Sequence, residues 1–185
     1  MSRPTFCYRS VADGAYAEMF RTTVRSARAV GVREDFHVWS DREVPGAVCH
    51  PAGDFDKSNY LFKLEFLRDR AARLNYDFLI FLDADAYFGR HPGNPQAALH
   101  GAPVHVLLES DCARPTNRRP DWWGCPLAVF VGLMRTRGVN QRSVFNTNAG
   151  FWIVHHDVIG RLVELALDFW GHCRDRAPVL HQPVY

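Results

Sequence analysis

The chain has 185 residues and a mass of 21.1 kDa, a length that suits one domain spanning 1–185. It is 47% hydrophobic and 23% charged, enough apolar material for a packed core, which excludes a disordered or low-complexity chain. The 22 basic and 20 acidic residues leave a net charge of +2, too weak an excess for a dedicated nucleic-acid binder.

Only two of the basic residues are lysines, Lys57 and Lys63. Either arginine serves wherever a cation is needed, or a flexible point charge is required at those two places. The five cysteines are scattered, with no Cys-x-x-Cys spacing and no histidine placed to complete a zinc site. They read as reduced thiols. With no apolar signal core and no run of about 18 apolar residues, the expected location is cytoplasmic, with no membrane segment.

In chain order, Thr5 to Val11 predicts a strand, bounded by the Asp13-Gly14 turn signal. Met19, Phe20, Val24, Ala27 and Val30 recur at helical spacing, predicting a helix over 15–30 that Gly31 ends. Phe36 to Trp39 predicts a second strand, and Pro45 to Ser58, with two Pro and two Gly, a loop. Leu61 to Leu74 predicts a helix with Leu64, Leu67, Ala71 and Leu74 in one stripe and an Asp69–Arg73 i,i+4 pair. The unbroken apolar run Phe78 to Leu82 predicts a strand buried on both faces, and Val104 to Leu108 repeats the pattern. Between Glu109 and Arg142 only a short helix around Leu127 to Met134 is expected. Phe151 to Val154 predicts a strand and Val158 to Trp170 a helix. Strands alternating with helices give an α/β domain with a mainly parallel central sheet flanked by helices.

Asp83-Ala84-Asp85 follows directly on the most buried of these strands. Ligands of open α/β sheets bind at the carboxyl ends of strands. Carboxylates at i and i+2 on extended backbone point to one side, where they can share a hard divalent cation and leave its other positions to water and phosphate oxygens. A second Asp-x-Asp, Asp54 to Asp56, lies in a polar loop where solvated acids need no special role. Asn146-Thr147-Asn148-Ala149-Gly150 reads as an Asx-rich turn into the next strand, or as backbone that closely approaches a polar ligand. Lys63, in the first turn of its helix, stands where the helix dipole attracts anions and suits a diphosphate.

Glu109 and Asp111, at the end of their strand, are candidate acid or base groups, as is Asp121. Trp122 and Trp123 are either a core plug or a stacking surface for a sugar or base. In His155-His156-Asp157, the acid reads as the N-cap of the following helix, and adjacent histidines at a strand end point apart, which argues against joint ligation.

With Phe78-Leu-Ile-Phe-Leu-Asp-Ala-Asp-Ala-Tyr-Phe88, Gly89-Arg90-His91-Pro92 and Phe145-Asn-Thr-Asn-Ala-Gly-Phe-Trp-Ile-Val154 in this order, the chain resembles the GT-A-fold nucleotide-diphospho-sugar glycosyltransferases from about Thr5 to its end. The resemblance implies a single GT-A-like (Rossmann-like) domain that moves a sugar from a UDP- or GDP-sugar to an unknown acceptor. It implies that Asp83 and Asp85, flanking Ala84, hold Mn²⁺ or Mg²⁺ against the donor diphosphate. Ser10, Val11 and Ala12 would face base and ribose, Lys63 phosphate or donor sugar, and Asn146, Asn148 and Gly150 the transferred sugar. Trp122 and Trp123 are then the place for the acceptor. Val179-Leu180-His181-Gln182-Pro183 matches a late motif that supplies a further metal ligand in the family, with His181 in place of an acid, and the C-terminal part is shorter than in most members.

Two other classes fit parts of this pattern. A haloacid-dehalogenase-type phosphatase would use Asp83 as nucleophile and Asp85 as general acid, but Tyr87 replaces its usual Thr or Val and the chain has no Asp-Asp pair. A catalytically inactive relative would bind nucleotide or glycan without turnover. A sugar-nucleotide pyrophosphorylase needs a Gly-rich phosphate loop that Ser10 to Gly14 does not supply. Nothing in the sequence points to an oligomeric state.

Overall fold

The computed structural model describes the backbone of residues 4–53, 62–108, 121–122, 125–139 and 147–176. In chain order its elements are β1 (Phe6–Val11), α1 (Ala15–Ala29), β2 (Asp35–Ser40), β3 (Val48–Pro51) and α2 (Phe62–Asp69), followed by a 3₁₀ turn at Ala71–Arg73. Then come β4 (Phe78–Leu82), α3 (Pro95–Ala98), β5 (Val104–Leu108), β6 (Asp121–Trp122), β7 (Cys125–Pro126) and α4 (Leu127–Thr136). Last are β8 (Thr147–His155), a 3₁₀ turn at His156–Val158 and α5 (Ile159–Arg176).

Six strands form one mixed sheet in the order β3-β2-β1-β4-β8-β5, and β6 and β7 pair separately. The pairings β3-β2, β2-β1 and β1-β4 are parallel, whereas β8 runs antiparallel to both β4 and β5. Five of the six strands thus point one way. The chain builds outward from β1 through β2 to β3, then returns to lay β4 on the other side of β1. That reversal makes the carboxyl ends of β1 and β4 the switch point of the sheet, where a crevice for ligand opens in such folds.

Alternate residues of the buried strands feed two cores. Tyr8, Ala12, Phe36, Val38, Ile80 and Leu82 pack against Ala17, Phe20, Val24 and Ala27 of α1. On the other face Cys7, Trp39, Leu79, Phe81, Trp152 and Val154 pack against Phe66 and Leu67 of α2 and Ile159 and Val163 of α5. The α1 stripe recurs at three- and four-residue spacing, as burial of one helix face requires. Gly31 ends it with φ +90, its N–H on Arg28 O and the Val32 N–H on Ala27 O, the paired bonds of a Schellman cap that glycine enters without Cβ strain.

Several expectations need correction. The loop expected over Pro45 to Ser58 contains β3, an edge strand whose Pro51 is tolerated because an edge strand can do without a ladder donor; residues 54–58 lie outside the described residues. The helix expected to reach Leu74 stops at Asp69, and Asp69 pairs with the neighbouring Arg68 rather than with Arg73. The strand expected over 151–154 runs from Thr147 to His155, so Asn148 and Gly150 belong to a strand and not to a turn before it. A register shift opposite Val106 and Leu107 accommodates that longer strand. At its far end Asp157 is not the cap: the His155 ring Nδ1 accepts from the Asp157 N–H at 3.2 Å.

Candidate functional site

The apolar run of β4 ends at Leu82, and the chain turns at once: the Ala86 N–H donates to Asp83 O at 3.1 Å. Asp83 and Asp85 therefore stand on a tight turn, not on the extended backbone that was to point both to one side. The turn is held from three directions. The Asp83 N–H donates to Gly150 O of β8 at 2.9 Å. Ala84 is buried in the α1-side core. The buried Thr23 hydroxyl of α1 reaches the carbonyls of both Ala84 and Ala86. Next to it, Ser26 Oγ accepts from the Phe88 N–H at 3.0 Å.

Lys63 arrives from the first turn of α2. Its Nζ donates to Asp83 Oδ1 at 2.7 Å and lies 5.0 Å from the centroid of the Phe81 ring. The Lys63 side chain is 21% exposed and that of Asp83 42%. The pair thus stands at the mouth of the sheet, the lysine deeper than the acid. Asp85 is exposed. By donor chemistry the two carboxylates are hard oxygen ligands of the kind Mg²⁺ or Mn²⁺ takes, and Asp83 already carries a cationic partner.

Of the positions expected to meet the nucleotide, Ser10 and Ala12 are buried and Val11 half-buried. Ser10 Oγ donates to Leu82 O at 2.8 Å, tying the end of β1 to the end of β4, and the Ala12 N–H donates to Trp39 O. The structure thus brings Ser10, Lys63, Asp83 and Gly150 to one end of the sheet. Asn148 lies on β8 opposite Leu107, and Asp121 and Trp122 form β6, paired with Pro126 and Cys125. Glu109, Asp111, Trp123, Asn146 and His181 lie outside the described residues. Among the described residues, no three or more His, Cys, Asp or Glu side chains gather to hold a metal.

Sequence reasoning missed Arg9. Its side chain is fully buried, and among the described residues none of its three guanidinium nitrogens has a hydrogen-bond partner. Arg9, Phe81 and Trp152 follow one another across β1, β4 and β8, and the guanidinium carbon lies 5.1 Å from the Phe81 ring centroid and 4.9 Å from that of Trp152. Burial pushes its pKa down to about 9, the Cys7 thiolate form opposing. Arg9 and Lys63 share the Phe81 ring, so two cations flank one aromatic side chain two residues before Asp83. The available signal was position: a charge inside a strand with both faces buried has nowhere exposed to go.

A second missed cluster lies toward the β3 edge. Tyr76 Oη donates to Asp35 Oδ2 at 2.6 Å and stands 3.2 Å from His37 Nε2, whose Nδ1 is 2.9 Å from His50 Nε2. The Tyr76 hydroxyl proton is committed to Asp35, so His37 Nε2–H donates to Tyr76 and His37 Nδ1 accepts from His50. His50 also stacks on Trp39. Burial lowers the pKa of both histidines, and for His37 the neighbouring His50 adds to it.

No protein-family model and no curated protein matches the chain. No helix of the described residues is long and apolar enough to cross a membrane. What stands is an α/β fold with a mixed, mostly parallel sheet, and a carboxylate turn at its switch point.

Proposed function

We propose that this chain is a metal-dependent glycosyltransferase of the GT-A type, taking a UDP- or GDP-sugar as donor. The observation that carries the reading is the Asp83-Ala84-Asp85 turn at the carboxyl end of β4, beside the end of β1, with Lys63 against Asp83. The arrangement offers acidic groups for a divalent ion and a cation for the phosphates at the same end of the sheet. Arg9 supports it: an unpaired buried guanidinium is costly, and a positive charge retained near the turn favours an anionic ligand.

Asp83 and Asp85 would hold Mn²⁺ or Mg²⁺, which when bound offsets the negative charge that grows on the departing nucleoside diphosphate. Lys63, on a helix N-terminus, binds a phosphate oxygen. Thr23, Ser26 and Gly150 hold the backbone of the turn that carries the two carboxylates. Asn148 is assigned to the transferred sugar, with Asn146, and Glu109, Asp111 and Asp121 are the candidates for the acceptor base. Trp122 and Trp123 are assigned to acceptor stacking, and His181 to the third metal position.

The test is release of UDP or GDP from a panel of their sugars, with Mn²⁺ or Mg²⁺ and with Asp85→Asn as control. Metal-dependent release lost in the variant supports the transferase. Metal-dependent nucleotide binding without release supports the inactive relative. Phosphate release from simple phosphomonoesters, with no nucleotide binding, supports the phosphatase.

A further inference from the structure

Asp83 and Asp85 are the groups assigned to a divalent ion, yet Asp83 is already engaged by a cation of the chain itself. Lys63 Nζ lies 2.7 Å from Asp83 Oδ1, a charge-assisted hydrogen bond as short as such bonds usually are. The ammonium is not held by the acid alone, because the Phe81 ring lies 5.0 Å from it, and a ring face retains a cation by itself. Lys63 is also the more enclosed partner, 21% exposed against 42% for Asp83.

We propose that Lys63 is an exchangeable stand-in for the metal at Asp83: it occupies the carboxylate when the site is empty and passes to the diphosphate when the metal arrives. The inference rests on the transferase reading and adds how its two ligands are coupled. A divalent ion that takes Asp83 displaces or repels the ammonium, leaving a partly enclosed lysine without its counter-charge. Metal alone therefore binds at the expense of the ion pair. A nucleoside diphosphate supplies a new anion for Lys63 in the same place, so metal and diphosphate favour each other's binding. The Phe81 ring keeps the ammonium close during the exchange. Lys63 thus gives positive coupling between the two ligands and a low affinity for metal when donor is absent.

The experiment measures Mn²⁺ binding to the full chain by the electron spin resonance of free Mn²⁺, alone and with UDP or GDP, for the wild type, Lys63→Met and Lys63→Arg. In the wild type the nucleotide should tighten Mn²⁺ binding about tenfold or more, within the usual range of such couplings. Lys63→Met should bind Mn²⁺ alone about tenfold tighter than the wild type and lose most of the coupling, while Lys63→Arg, which keeps the cation, retains it. A second readout needs no variant at this position. Lys57 is the only other lysine, so acetylation of Lys63 is readily followed by mass spectrometry. Lys63 should be slow to react in the free protein, faster in saturating Mg²⁺ alone, and slow again when UDP or GDP is added. Equal Mn²⁺ affinity of wild type and Lys63→Met, or an acetylation rate indifferent to Mg²⁺, overturns the exchange even where nucleotide-dependent Mn²⁺ binding lost in Asp85→Asn stands. If no nucleotide promotes Mn²⁺ binding, the transferase reading fails and the exchange with it.

Discussion

Replacement of Arg9 by methionine should make the folded state more stable and the site weaker. Burial lowers the Arg9 pKa from the ordinary arginine range to about 9. At 1.36 kcal/mol per pH unit, that drop corresponds to about 5 kcal/mol against the charged form. The sign follows from linkage: below pH 9 the folded state keeps a proton it holds poorly, and the penalty is relieved only as pH rises past about 9 toward the ordinary arginine range. At neutral pH the whole penalty is present. The Phe81 and Trp152 rings offset about 1–2 kcal/mol each as desolvated cation–π partners, which leaves about 1–3 kcal/mol to be gained by removing the charge. Methionine fills a similar volume and packs well on aromatic rings. With an unfolding entropy of about 2.1 cal/mol/K per residue, the 185-residue chain gains about 3–8 °C in melting temperature. Thermal melts at pH 7 and urea titrations measure the gain, and affinity for UDP or GDP with Mn²⁺ should fall. A loss of about 3 kcal/mol instead, the size expected when a buried ion pair is broken, would refute the reading that aromatic rings alone hold the guanidinium.

Thr23→Val keeps the shape of the side chain but leaves the Ala84 and Ala86 carbonyls without their donor. It should cost about 1–3 kcal/mol and weaken Mn²⁺-dependent nucleotide binding; a variant as stable and as active as the wild type would separate α1 from the carboxylate turn. The His37–His50 pair gives a pH dependence of definite sign. Both are held below the usual 6.5 by burial, so the unfolded chain binds their protons first and their contribution, complete above pH 6.5, is lost as the pH falls below it. His50→Phe, which keeps the stack on Trp39 but not the titration, should show a shallower fall in melting temperature between pH 7 and 5. Parallel pH profiles for variant and wild type would refute this.

The parts of the fold that the sequence makes legible are those where one physical demand dominates. β4 is readable because both its faces are buried, which forces Phe78 to Leu82 to be apolar throughout. α1 is readable because one buried stripe and Gly31 bound it. β8 is readable only over Phe151 to Val154, because Asn148 and Gly150 interrupt the apolar run before it, and no local pattern says that the strand enters antiparallel between β4 and β5. β3 is hidden by its four residues and terminal Pro51. At the candidate site, the carboxylate turn could be located by its place after a buried strand, whereas the Lys63–Asp83 pair joins residues from two elements that no periodicity links. Arg9 was missed for a simpler reason: arginine is ordinarily a surface residue, so its place inside an apolar strand was the one cue, and the flanking strands β2 and β4 are what enclose it.

The central claim is a metal-dependent nucleoside-diphosphate site at Asp83 and Asp85, and thermal melting against a nucleotide panel tests it most directly. UDP, GDP, ADP and CDP are each added with and without Mn²⁺, to wild type and to Asp85→Asn. A ligand at 100 times its dissociation constant stabilises the folded state by about 2.7 kcal/mol, about 7 °C for a chain of 185 residues. The result expected is a shift with UDP or GDP that requires Mn²⁺ and disappears in Asp85→Asn. No shift with any nucleotide, or a shift indifferent to both Mn²⁺ and Asp85, would contradict the transferase site.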